Sequence, residues 1–105
     1  MNSGTTATLQ QLREQVDNID AQLIALLKER LRVTTRMRDV KKRQATPLRD
    51  PQRESVVLER IEMLNKECLP HLPAEQLHEV YKTIMNWSLA AQQEPESNQS
   101  SSRSQ

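Results

Sequence analysis

The 105-residue sequence has one cysteine, one tryptophan, one tyrosine, one glycine and no phenylalanine. Each shortage excludes something. A lone Cys68 cannot form an internal disulfide and fits a reducing compartment. The two histidines, His71 and His78, are seven residues apart with no cysteine or carboxylate arranged beside them for metal ligation, so no metal is expected. Aromatic residues make up 2% of the chain, which leaves few rings on which nucleic-acid bases could stack. No apolar run is long enough to cross a bilayer. The N-terminus lacks the basic, then apolar, then small-residue order of a signal peptide, so the expected location is the cytoplasm, away from any membrane. A net charge of +1 argues neither for nor against polyanionic partners.

What remains is helical pattern. The opening residues 1–8 and the serine-rich close, residues 94–105, carry no apolar periodicity and are expected to be disordered. Between them, residues 9–93 form one foldable domain, small enough that oligomerisation would be a common remedy for a thin core. Residues 9–43 contain no glycine or proline. Their apolar positions Leu9, Leu12, Val16, Ile19, Leu23, Leu26, Val33, Met37 and Val40 step by three and four. This predicts one helix on the order of 50 Å long, well beyond the usual globular length. Two shorter helices of one chain cannot cover such a rod. The seam is therefore read as the contact between two copies, a homodimer.

Asp50 followed by Pro51 predicts the start of a second helix, with an aspartate N-cap and proline at the first helical position. Its apolar stripe is Val57, Ile61, Leu64 and Cys68, with Cys68 read as core filler. After the two prolines of ECLPHLP, a third helix runs from Pro73 to about Gln93, with a stripe of Leu77, Tyr81, Ile84, Ser88 and Ala91. No strand signal is present. The prediction is an all-α protein of three helices, one very long.

One residue breaks the first stripe. With Leu9 at heptad position a, Arg30 also falls at a, where a hydrophobe belongs. Arg13 and Lys41 flank the seam at e, four heptads apart. The other basic residues, Lys28, Arg32, Arg36, Arg38, Lys42 and Arg43, lie at positions read as a solvated face. On the third helix Ser88 interrupts the stripe and Gln92 follows one turn later. Arg53 and Glu54 occupy the first turn of the second helix, beside Asp50. A single polar a residue can merely set register while its head snorkels outward. For the whole set, a pocket inside a helical bundle fits better, lined by cations and neutral donors and suited to a small organic anion with more than one carboxylate. The set contains no evident nucleophile. His71, His78, Trp87 and Tyr81 are read as surface, core or interface residues.

The segments LREQVDNIDAQLIALLKER, VKKR, PLRDPQRE, VLER and NWSLAAQ, in this order, resemble the all-helical class of chorismate mutases, above all the mutase domain of bacterial bifunctional prephenate dehydratases. The resemblance covers Leu9 to Gln93. It implies an intertwined homodimer that rearranges chorismate to prephenate without a cofactor, by restraining a dianion and stabilising charge on the breaking C–O bond. It further implies that Arg30 grips a carboxylate together with Arg13 of the other subunit. Lys41 would bridge a carboxylate and the ether oxygen, and Gln92 would donate to that oxygen. Glu54 and the backbone near Asp50 would hold the ring hydroxyl, while Arg53 and Ser88 would complete the lining. Met37 and Val40 depart from the small or branched residues of the relatives, and the turn before the third helix is about two residues longer. The same fold hosts isochorismate pyruvate lyases and aminodeoxychorismate mutases; Glu54 argues against the former. A non-enzymatic reading is a basic coiled-coil dimer binding nucleic acid through residues 28–43, where eight cations face two acids. These cations are spread around the helix, which counts against it. A third reading is a weakly active regulatory domain cut from a larger enzyme.

Overall fold

A computed structural model describes residues 6–93. It contains three α-helices: α1 (Leu9–Arg43), α2 (Pro51–Lys66) and α3 (Ala74–Gln93). No strand occurs among the described residues. The all-helical, three-helix reading is borne out, long first helix included. Most of the end segments expected to be disordered, residues 1–5 and 94–105, lie outside the described residues. The chain divides into two compact units, one ending at Arg30 and one beginning at Leu31.

In the first unit, α1 begins with a reciprocal cap. The Gln11 N–H donates to the Thr8 hydroxyl at 3.1 Å, and the Thr8 N–H donates to the Gln11 side-chain oxygen at 2.9 Å. Two N–H groups that no helical carbonyl can satisfy are thereby paired. Leu9, Leu12, Val16, Ile19, Leu23 and Leu26 are all exposed, each more than two-fifths accessible.

In the second unit, α1 stops by a Schellman arrangement. The Thr46 N–H reaches the Lys41 carbonyl at 2.8 Å, and the Ala45 N–H reaches the Lys42 carbonyl at 3.2 Å. Ala45 takes φ 56° to close this turn, a conformation usually left to glycine. The start of α2 follows the sequence reading: Asp50 is the N-cap, accepting from the Arg53 N–H at 3.0 Å, with Pro51 behind it. Helix α2 ends at Lys66, two residues short of the expected stripe. Cys68 is exposed outside it, which corrects its reading as core filler. The cause is local, because Pro70 disfavours helical conformation in the residue before it.

Helices α2 and α3 pack directly on one another. Ile61 is buried on α2, and Val57 and Leu58 of α2 and Leu77, Tyr81 and Ile84 of α3 are half-buried. Asn65 clamps the connecting turn with both ends of its amide, donating to the Leu72 carbonyl at 2.9 Å and accepting from its N–H at 2.8 Å. His78 Nε2 on α3 lies 2.8 Å from the Glu62 carboxylate on α2, and His78 is half-buried where the sequence reading puts it on the surface. Trp87, by contrast, remains exposed.

Among the described residues, Ile61 is the only buried hydrophobic side chain. The buried polar ones outnumber it: Arg38, Ser88 and Gln92. A chain whose interior is mostly polar has little hydrophobic free energy of its own to oppose chain entropy.

Candidate functional site

Lys41 is the centre of the polar interior. Its ammonium donates to the Leu48 carbonyl at 2.7 Å and to the Gln92 side-chain oxygen at 3.1 Å. The first bond pulls the loop after α1 back onto the helix. The second joins residues 51 apart in sequence. Helices α1 and α3 make no close backbone approach, unlike α2 and α3. Side-chain reach bridges the interval, and lysine supplies four methylenes of it.

The bond to Lys41 also decides the orientation of Gln92. An ammonium has three donors and no acceptor, so the glutamine must offer its oxygen. Its NH₂ then points away from Lys41 as a donor with a fixed direction. Gln92 is 5% exposed, and a side chain held so firmly loses little further entropy on meeting a ligand. A lysine ammonium and an oriented amide NH₂ on a partly buried polar patch are groups that can stabilise negative charge.

Ser88 lies one turn before Gln92 on α3 and is also buried. Its hydroxyl donates to the Ile84 carbonyl at 3.2 Å, a bond from which a hydroxyl can rotate toward another acceptor. At the start of α2, Glu54 is half-exposed, with its carboxylate 3.7 Å from Arg49 Nε and its N–H bonded to the Asp50 carbonyl at 3.0 Å. Asp50 uses its side chain as the helix cap, and Arg53 is exposed. Of the residues singled out from sequence, then, Lys41 and Gln92 touch, Ser88 is their buried neighbour along α3, and Asp50, Arg53 and Glu54 share one helix start. Arg13 and Arg30 belong to the first unit. There Arg13 is exposed and Arg30 is half-buried.

Arg38 is the residue that the sequence reading misplaces. Its heptad position reads as a solvated face, yet it is 5% exposed, the only buried residue of α1. Its Nε is 3.7 Å from Asp39, whose own side chain is mostly in solvent. The heptad letters describe the side of α1 that would meet a second rod. The side carrying Arg38 and Lys41, with Thr34 and Thr35 half-buried on it, is a different one, and from it Lys41 reaches Leu48 and Gln92. A signal is available in the sequence: Arg38 is three residues before Lys41, and residues at that spacing share a helix face.

Among the described residues no three His, Cys, Asp or Glu side chains are grouped as a metal ion would need. Among the same residues no helix is long and apolar enough to cross a membrane.

Known proteins resemble this arrangement in sequence and in fold. The bifunctional chorismate mutase/prephenate dehydratase of Aquifex aeolicus (strain VF5) is 34% identical over 83 residues, covering 78% of this chain and 23% of that protein. A chorismate mutase of Methanocaldococcus jannaschii is 32% identical over 59 residues, or 56% of this chain and 60% of the relative. The chain thus spans less than two-thirds of the length of either curated relative. Among solved structures, the form II chorismate mutase of Thermus thermophilus superposes with a TM-score of 0.70 at 28% identity, covering 80% of this chain and 92% of that one. A conserved hypothetical protein of Pyrococcus furiosus superposes with a TM-score of 0.65 at 32% identity, covering 83% and 97%. The family model for chorismate mutase type II matches residues 12–93. With most of the chain inside that match, the protein belongs to the chorismate mutase type II family.

Proposed function

We propose that this chain, as a homodimer, catalyses the Claisen rearrangement of chorismate to prephenate. The observation that carries the reading is the Lys41–Gln92 pair: a cation and an oriented amide donor meeting on a buried polar patch. Family membership supports it. So does the nature of the reaction, in which one C–O bond breaks as one C–C bond forms within a single molecule. No proton enters or leaves and no nucleophile is needed, so a site consisting of cations and donors suffices.

In this reading, Arg30 and the partner subunit's Arg13 hold one carboxylate of the dianion and thereby keep it in its reactive chair. The Lys41 ammonium spans the other carboxylate and the ether oxygen. Gln92 donates its NH₂ to the same oxygen, where electron density accumulates as the bond stretches. Glu54 and the backbone at Asp50 hold the ring hydroxyl, and Arg53 and Ser88 complete the lining. Because the donors are already fixed, they stabilise the transition state more than the ground state, which is what raises kcat.

The dimer is supported by the exposed stripe. Leu9, Leu12, Val16, Ile19, Leu23, Leu26, Val33, Met37 and Val40 leave a seam of hydrophobes uncovered along α1. A second copy of the same helix matches that period. Such a dimer would bring Arg13 of one chain to the site of the other.

The deciding experiment offers purified protein chorismate, isochorismate and aminodeoxychorismate side by side. Chorismate is expected to disappear with prephenate as the product and without added metal or cofactor. Turnover of only one of the other two would reassign the substrate, and turnover of none would reject the reading.

A further inference from the structure

Lys41 holds the segment after α1 from two sides. Its backbone carbonyl accepts from the Thr46 N–H at 2.8 Å, and its ammonium donates to the Leu48 carbonyl at 2.7 Å. Between those two bonds stands Pro47, whose ring fixes φ at about −65° and restricts the residue before it. Two residues after Leu48, Asp50 caps α2. The Leu48 carbonyl is thus held between anchors at Thr46 and Asp50, and the Leu48 side chain is itself half-buried. Lys41 is also the only lysine of the chain that is not exposed; Lys28, Lys42, Lys66 and Lys82 all are.

An ammonium on a flexible four-carbon stem that meets a single acceptor still spins about that bond. Two acceptors from different parts of the fold stop the rotation. With the Leu48 carbonyl and the Gln92 oxygen both engaged, tetrahedral geometry gives the third N–H one direction, away from both, and this is the N–H left for a ligand.

From this geometry we propose that Leu48 is a positioning residue for Lys41: its carbonyl, with the Gln92 oxygen, sets the rotation of the ammonium, so that one N–H is aimed before the ligand arrives. A mere latch on the loop needs only that the bond exist. Aiming needs the carbonyl fixed in place, and Pro47 between the two bonds does this. The proposal rests on the mutase reading for the ligand, in which the aimed N–H lies between the carboxylate and the ether oxygen. Attraction to a carboxylate depends on the charge of the ammonium and little on its rotation. Stabilising the charge that grows on the ether oxygen depends on direction, so the Leu48 carbonyl acts on kcat more than on KM.

Two variants of the full chain loosen the carbonyl without altering Lys41 or Gln92. Pro47→Gly frees the backbone between Thr46 and Leu48. An ester in place of the Leu48–Arg49 amide, made by ligating synthetic segments, leaves a carbonyl that accepts more weakly. The probe is the proton–nitrogen NMR signal of the lysine ammonium groups in the protein without ligand. In the parent, Lys41 is expected to give a separate, slowly exchanging signal, while the four exposed lysines lose theirs to exchange with water. Both variants should broaden or erase the Lys41 signal at a Tm close to the parent's. For chorismate, kcat of Pro47→Gly should fall by ~10-fold, less than the ~10²-fold loss expected when a donor is deleted outright. Its KM should stay within about 3-fold of the parent's. A Lys41 signal unmoved in both variants, or a parent Lys41 that exchanges as fast as the other lysines, would overturn the proposal and leave the bond a latch. In an active parent, loss of the signal with kcat unchanged would overturn it too. The NMR comparison needs no substrate, so it tests the aiming of Lys41 even if the parent does not turn over chorismate. An active parent with an unmoved Lys41 signal would reject the role of Leu48 and keep the mutase reading.

Discussion

Lys41 and Gln92 are 51 residues apart in the sequence and 3.1 Å apart in the structure. Their bond does two things at once. It links α1 to α3 where the two backbones do not meet closely, and it turns the Gln92 amide so that its NH₂ faces away from the ammonium. A structural crosslink and an oriented donor are the same interaction here.

Replacing that donor gives the first prediction. Gln92→Ala is expected to lower kcat/KM for chorismate by at least ~10²-fold, the usual cost of deleting one donor aimed at developing charge. Gln92→Glu is more informative. Its carboxylate still accepts from Lys41 but donates nothing while ionised. Protonation restores one O–H donor, so the variant's activity should rise as pH falls and collapse toward neutrality. Steady-state kinetics across pH read this directly, and a flat profile would mean that Gln92 does not donate to the reacting oxygen.

The exposed seam gives the second. Ile19 and Leu23 contact water in the single chain, so charging them should not unfold it. Leu23→Glu would place like charges against one another in the dimer and bury them. We expect light scattering to register a shift to monomer, with activity lost in parallel because the partner subunit's Arg13 is withdrawn. A monomer with full activity would rule out a shared site.

The third concerns stability alone. Ala45 closes the end of α1 at φ 56°, where an alanine Cβ is crowded. Ala45→Gly should stabilise the protein by roughly 1 kcal/mol, read as a higher denaturation midpoint. A lower midpoint would mean that the turn depends on the alanine methyl.

How far these features can be read in advance depends on how local they are. Asp50 and Pro51 announce a helix start because cap and proline act within one turn, and the structure has that start. The length of α1 is legible because an unbroken seam without glycine or proline leaves few other solutions. Arg38 is not legible from the seam: heptad letters register only the side facing another rod, and this residue is buried within the single chain. The pair of His78 with Glu62 joins two helices across a turn, so no spacing within either helix encodes it. Ala45 has a backbone conformation its side chain does not advertise. Lys41 and Gln92 each look unusual on their own helix, but only the fold joins them.

Catalysis as proposed depends above all on one site being assembled from two chains. The most direct measurement mixes Arg13→Ala protein with Lys41→Ala protein, each inactive alone, under conditions that let subunits exchange. In a symmetric dimer with a shared site, each mixed dimer regains one intact site, and activity should recover to about a quarter of the parent's at equal mixing. No recovery, with exchange verified by a mass-labelled subunit, would contradict it.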